Sequence, residues 1–414
     1  METRKITIGQ VCKFNIETIK SKNSPEIILY LDTGSITRNR IENIQTLDNR
    51  IGPFPSRAQR KVRKDTILYS TVRPIQEHFG FLQNPDENFI VSTGFLTINI
   101  CDKEIDPKFL YYCITRKELT NYLQTIAENN VTSYPSINPD DLGNINLEIP
   151  RDKYLQQKIA DILSALDSKI ELNKRINDEL ESMAKTLYNY WLVQFDFPDK
   201  NGKPYKSNGG KMVWNEELKR EIPDGWEVKT LSQLAKSTNE SVNPLDFPDK
   251  EFKHYSIPTF DSSGTYGIEK GVEIKSNKFA VTETDILVSK LNPWFNRVVF
   301  TTDEEDLICS TEFVVWKTGN LEIKNYLYMI ARDATFITYC TKNATGTSNS
   351  HKRVNPAVMM KFKIAYNKDI AEKFGAKIGH TIKMYAKTHI ENQTLSSLRD
   401  WLLPMLMNGQ VSVE

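Results

Sequence analysis

Five stretches of the first half of this chain recur, in the same order, in the second half at offsets between 217 and 223 residues. KITIGQVCK (Lys5–Lys13) returns as VKTLSQLAK (Val228–Lys236), with Thr7 over Thr230 and Gln10 over Gln233. DTILYSTVRP (Asp65–Pro74) returns as TDILVSKLNP (Thr284–Pro293), which places Ser70 over Ser289 and Pro74 over Pro293. IVSTGFLTI lies over ICSTEFVVW, Ile137-Asn138-Pro139 over Val354-Asn355-Pro356, and Asn173 over Asn392. A chain repeated along one diagonal must fold as two copies of one plan. Its 414 residues are also too many for one ordinary core.

Each copy has the same internal order. Short runs rich in β-branched and aromatic residues come first (TILYSTV, FIVSTGFLTI; DILVSKL, FVVW), punctuated by turn segments such as NPDEN and DSSGTYG. Apolar-periodic segments opening at Pro107 and Lys324 then read as helices, a last strand follows (NINLEIP; MKFKIAY), and one long helix closes the half. The expected class is a mixed α/β (α+β) fold, and no G-x-G-x-x-G follows a strand to mark a nucleotide site.

From Lys153 to about Trp191 there is neither Pro nor Gly. Ile159, Leu163, Leu166, Ile170, Asn173, Asn177, Leu180, Ala184, Leu187 and Trp191 follow one another in steps of four and three, an a/d heptad seam. The second helix runs from about Ile370 to Leu403, with its seam at Ile378, Ile382, Tyr385, His389, Asn392, Leu395 or Ser396, and Leu402. Pro404 should stop or kink it near Leu403. A buried Asn in such a seam fixes register and partner, so the equivalent Asn173 and Asn392 predict that the two helices pair with each other. Roughly 39 residues at ~1.5 Å each give ~55–60 Å, longer than a small domain is wide. Two such units pack naturally as an antiparallel coiled-coil spacer under a pseudo-two-fold axis. Between them, residues 196–222 have no counterpart in the first half and read as a linker, ordered because Trp214 within it and Trp226 just after it do not suit a floppy tether.

The chemistry is defined as much by what is missing. No Walker A sequence, H-E-x-x-H or Ser/His/Asp elbow occurs, and the five histidines stand singly. Asn292-Pro293-Trp294-Phe295 looks like the loop with which amino-methyltransferases hold a target amine, but no glycine-rich methyl-donor loop accompanies it, and a turn is the simpler reading. The five cysteines form no C-x-x-C pair, so neither zinc nor a disulfide framework is signalled. The charged start METRKITIGQ and the lack of a long apolar run argue for a cytoplasmic chain that meets no membrane. Net charge is only +1, yet between Arg38 and Arg73 nine Lys/Arg stand against three acids. That stretch is either a solvated basic face or a nucleic-acid contact.

The segment LQQKIADILSALDSKIELNKRINDELESMAKTLYNYWLVQFDFP, continuing through NGKPYKSNGGKMVWNEELKREIPDGWEVKTLSQLA, resembles the central conserved region of the specificity subunits of type I restriction-modification systems. LRDWLLPMLMNGQ resembles their distal conserved helix end, and DILVSKLNP with its echo DTILYSTVRP looks like the strand and loop of their target recognition domains. The resemblance implies a recognition domain at 1–150, a central long helix at 151–195, the linker at 196–222, a second recognition domain at 223–367, and a distal helix and tail at 368–414. Each domain would read half of a bipartite, interrupted DNA site, and the helix pair would set the gap and dock two methyltransferase (modification) subunits. Restriction (translocase/nuclease) subunits would join that core. The chain itself would be non-catalytic and hold no cofactor, S-adenosylmethionine being bound by the methyltransferase.

On that reading Arg57, Arg60, Lys61, Arg63, Lys64 and Arg73 are the DNA-contact candidates of the first domain, with the loop residues Asn130, Thr132, Ser133 and Tyr134. In the second they are Lys290, Asn292, Trp294, Asn296 and Arg297, with the loop Ser348, Asn349, Ser350, His351, Lys352 and Arg353. Lysine and arginine serve both phosphates and guanine edges, so which does which stays open. The rival readings are a coiled-coil adaptor that binds only proteins, a self-contained enzyme, or the specificity subunit of a related type II modification system.

Overall fold

Thr66–Ser70 and Asp285–Ser289 have apolar centres between polar ends, and both become strands buried at every residue, because each lies in the middle of its sheet. The computed structural model describes residues 2–19, 25–129, 135–346, 351–407 and 410–411. It divides into two compact units, Met1–Glu171 with Leu395–Glu414, and Leu172–Thr394. Each unit includes a stretch of both long helices.

In the first unit, Phe95–Ile100 pairs antiparallel with Cys12–Phe14 on one side and Thr66–Ser70 on the other, and Phe79–Leu82 extends the sheet. A second sheet runs Gln45–Asp48, Ile27–Leu31, Phe89–Ser92, Ala58–Lys61, with the middle two strands parallel. The second unit repeats this order. Lys236–Thr238, Phe313–Lys317, Asp285–Ser289 and Val298–Phe300 make one sheet. Gly267–Lys270, Glu251–Tyr255, Leu307–Cys309 and Lys278–Ala280 make the other, again parallel in the middle, with Ser241–Val242 added at the edge. In each unit a two-stranded pair, Thr3–Thr7 with Asn146–Pro150 and Glu227–Thr230 with Lys363–Tyr366, joins the start of the domain to its last strand. The duplication is therefore one of strand order, not only of sequence.

The first long helix starts at Lys153 and runs to Tyr188, widening into a π-helical turn over Asn189–Val193. The second runs from Lys368 to Met407. In the first unit Ile159 and Leu163 are wholly buried in the same core as Phe109, Cys113, Leu403, Leu406 and Met407. Arg399 of the second helix donates to Asp167 of the first at 2.7 Å, and the Tyr112 hydroxyl donates to the other oxygen of Asp167 at 2.8 Å. In the second unit Ile378 and Ile382 join Ala184 and Tyr188 in the core under Tyr326 and Phe374. There the Asn173 amide donates to Asn392 Oδ1 at 2.9 Å and to Glu391 Oε2 at 2.8 Å, so the antiparallel pair is keyed at the expected residue and by one carboxylate more. Ile170 is buried, Leu166, Leu180 and Tyr385 are half-buried, and Asn177 is buried with both amide atoms unpartnered.

Pro404 corrects an expectation. It lies inside the second helix, which continues to Met407. Three residues from the helix end a proline removes one amide bond, and the buried Leu403, Leu406 and Met407 hold the last turn in the first unit's core. The second helix also approaches Leu321–Ala331 of its own unit closely. A Cβ at Gly375 would stand 1.9 Å from the Glu322 carbonyl oxygen, so only glycine fits there.

In the linker the order comes from Trp226, which stacks on Phe197 (5.3 Å between centroids), with Phe197 in turn on Tyr205 at 4.8 Å. Trp214 contributes less than expected: it is exposed on the hairpin Met212–Asn215/Arg220–Pro223 and bonds Glu216. The second unit also buries a cation. Lys324, at 0% exposure, donates from Nζ to the carbonyls of Glu283 and Thr301 and to the Thr301 hydroxyl, 3.7 Å above the Phe300 ring. Among the described residues, no helix is long and apolar enough to cross a membrane.

Candidate DNA-reading turns

The strand-and-loop motif that the repeat aligned folds into the same unusual turn in both units. After Thr66–Ser70 the chain passes through Arg73 in the left-handed region (φ 47°), a single 3-10 turn Pro74–Gln76, and Glu77, again left-handed (φ 57°). After Asp285–Ser289 the sequence is Asn292 (φ 47°), Pro293–Phe295, and Asn296 (φ 50°). Proline suits the first position because its fixed φ matches the 3-10 turn and it needs no partner for an amide hydrogen. Left-handed residues other than glycine are strained by roughly 1–2 kcal/mol each, so four of them persist only where the surroundings over-determine them.

The fastening is visible. Ser70 and Ser289 donate through Oγ to the Val72 and Leu291 carbonyls at 3.0 and 3.1 Å. The amides of Arg73 and Asn292 donate to the carbonyls of Pro135 and Lys352 at 3.0 and 2.7 Å. Buried Asn292 also accepts from the Lys352 amide at 3.0 Å. At the far end, Glu77 receives two bonds from the Arg38 guanidinium, the longer at 2.8 Å. Asn296 donates to the Arg332 carbonyl at 3.3 Å. What the frames hold out is apolar: Ile75 (52% exposed) in the first, Trp294 (39%) and Phe295 (58%) in the second.

The predicted cations fall into two groups. Arg57, Lys61, Lys64, Arg73, Lys290 and Lys352 enter no ion pair among the described residues. Others are committed. Arg63 is paired with Glu17, and Arg353 makes two bonds to Glu312 at 2.9 and 3.1 Å. Arg297 is only 11% exposed, held by Asp261 at 2.6 and 2.7 Å and lying over the Phe295 ring, so it serves the frame of the turn. Arg60 is half-buried with Nη1 unpartnered, and burial lowers its pKa. Lys64 borders a polar cavity of about 290 Å³ with Lys108 and Asp161. His351 is exposed beside Lys352. Asn130, Thr132, Ser133, Tyr134, Ser348, Asn349 and Ser350 lie outside the described residues.

Sequence reasoning missed Ile75, Arg38 and Glu77. The repeat held the signal, since the match of Pro74 to Pro293 also places Ile75 over Trp294 and Glu77 over Asn296. Beside the second turn a cavity of about 420 Å³ is lined by Trp294, Asn296, Arg332, Tyr385, Leu180 and others. Among the described residues, no three His, Cys, Asp or Glu gather as metal ligands. Exposed apolar tips on fastened backbone frames, with Arg73 and Lys290 in the same loops and outside any ion pair among the described residues, are suited to binding rather than to catalysis.

Residues 2–182 match the family model of the type I restriction modification DNA specificity domain, and along its whole length the chain is similar to type I specificity subunits. It is 26% identical to the type I restriction enzyme HindI specificity subunit of Haemophilus influenzae, across 99% of each chain. It is 27% identical to the MjaIX specificity subunit of Methanocaldococcus jannaschii, across 85% of this chain and 78% of the relative. The crystal structure of the type I restriction-modification S subunit from M. genitalium shares the fold (TM-score 0.59, 16% identity, 100% of this chain and 97% of that one).

Proposed function

We propose that this chain is the DNA-reading subunit of a type I restriction-modification complex, each unit reading one half of an interrupted site. The observation that carries it is the twin turn: two frames of the same backbone geometry, at equivalent places, displaying different tips (Ile75-Gln76 and Trp294-Phe295). Apolar side chains contact thymine methyls or wedge between base steps, while the flanking lysines and arginines meet phosphates and guanine edges. Different tips on one frame suit two different half-sites. In this reading Arg57, Arg73, Lys290 and Lys352 make the first contacts, and Arg297 and Arg353 act through the residues they hold.

The chain is a non-catalytic cytoplasmic subunit on this reading. S-adenosylmethionine and the methylating residues belong to two modification subunits docked on the long helices, and restriction subunits complete the complex. The test is to co-express the chain with its methyltransferase and map methylated adenines across the host genome. One interrupted, asymmetric motif is expected, and exchanging 73–77 or 292–296 should alter one half-site each. An assembled complex that marks no motif would overturn the reading in favour of a protein-binding adaptor.

A further inference from the structure

The second reading turn is fastened by contacts that lead away from its tip. Asn296, which closes the turn, donates to the carbonyl of Arg332. Arg332 caps the C-terminus of helix Leu321–Ala331, and its side chain is 21% exposed. Its Nη1 donates to the Tyr328 hydroxyl at 2.6 Å and its Nη2 to Glu181 on the first long helix. The guanidinium also lies 5.4 and 5.5 Å from the ring centroids of Tyr328 and Tyr385. Three residues of one unit thus form a continuous link from turn to helix: Asn296, Arg332, Glu181.

Among the described residues, the first unit lacks this link. Arg116, at the equivalent helix end, has Nη1 4.0 Å from Met407 Sδ, and its Nε is buried without a partner. That turn is held instead by Gln124, which accepts from the Ile75 amide at 3.1 Å, and by Arg38 on Glu77. The helix-to-turn coupling is therefore particular to the second reader. Arginine suits the task because its planar fork can hold a carboxylate and a hydroxyl at once in a fixed orientation.

We propose that Arg332 is a positioning residue that sets the second reading turn against the first long helix through Glu181. It makes discrimination at one half-site depend on a pair of residues that need not touch DNA. The proposal rests on the half-site reading given above. Glu181 is 48% exposed, so Arg332→Met strands no buried charge, and Glu181→Gln keeps an acceptor oxygen for the guanidinium.

The test uses the full chain assembled with its modification subunits, carrying Arg332→Met, Arg332→Lys or Glu181→Gln. Competition binding at fixed salt compares the cognate duplex with duplexes substituted at single base pairs in either half-site. A substituted pair ordinarily costs roughly 5–150-fold in affinity. For Arg332→Met that ratio should fall to within about twofold of unity at the half-site read by the second unit, with Arg332→Lys and Glu181→Gln between it and the wild type. Ratios at the other half-site should stay as in the wild type. Unchanged discrimination at the second half-site overturns the proposal, and so does equal loss at both, which would mark Arg332 as a structural residue. If Arg332→Met does not assemble, Glu181→Gln decides by the same criteria. A wild-type complex that shows no half-site preference would instead refute the function itself.

Discussion

Replacing Lys324 by methionine should change how stability depends on pH. Burial drives the pKa of Lys324 from 10.5 down to about 7, outweighing the Glu283, Asp285 and Asp303 carboxylates that favour its charge, while Lys383 opposes it. Because the folded value lies below the unfolded one, the unfolded chain holds more protons between pH 7 and 10.5, and stability rises with pH across that window. At roughly 1.4 kcal/mol per pH unit the penalty approaches about 5 kcal/mol below pH 7 and shrinks to about 2 kcal/mol at pH 9. Lys324→Met removes this term. It also leaves the buried carbonyls of Glu283 and Thr301 without their donor, a loss of about 1–3 kcal/mol that does not vary with pH. The assay is urea unfolding at pH 7, 8 and 9 followed by tryptophan fluorescence, since Trp316 is buried in the same unit. Relative to the variant, the wild type should gain about 2 kcal/mol between pH 7 and pH 9. Parallel profiles, or a wild type that loses ground as pH rises, would show that the folded state keeps Lys324 charged through its carbonyl bonds and would refute the desolvation argument.

Arg73→Ala and Lys290→Ala, each removing an unpaired cation, should lower the slope of log K against log salt by about 1, whereas Arg353→Ala, already balanced by Glu312, should lower it less. DNA titrations of the assembled complex at several salt concentrations measure this. Asn173→Leu should leave the melting temperature unchanged or raised, because an apolar seam residue packs at least as well, while reducing the fraction that assembles with modification subunits as the helix register loosens. Calorimetry beside size-exclusion chromatography separates the two effects, and a lowered melting temperature with normal assembly would sink the register argument.

The repeat and the helix seam made much of this molecule legible. Heptad steps from Ile159 to Trp191 and an unbroken run after Lys153 leave few alternatives to a long helix, and an Asn on each seam announces its partner. The alignment of Pro74 with Pro293 located both turns, though not their left-handed ends: Arg73 and Glu77 give no local hint of positive φ, and Asn292 and Asn296, of a type that favours it, stood out first as DNA contacts. Charge was the poorest guide. Arg297 looks like Lys290 in sequence, and only folding brings Asp261 to it across 36 residues; Arg353 meets Glu312 across 41. Pro404 misled because its cost depends on how few helical bonds remain beyond it and on what the last turn buries, neither of which is local. Gly375 carried no signal at all, because its reason is the Glu322 carbonyl of another helix.

In both turns the strained angles sit at the ends, on Arg73 and Glu77 or Asn292 and Asn296, and the middle pair is tied to the frame mainly through backbone amides (Ile75, Gln76 and Phe295), with Arg297 packed over the Phe295 ring. A change from Ile-Gln to Trp-Phe, the difference already present between the copies, therefore leaves the backbone where it was. If the tips read DNA as proposed, new preferences need only the exchange of two side chains and no rebuilt domain, and the two halves of one molecule are free to diverge independently while remaining parts of the same instrument.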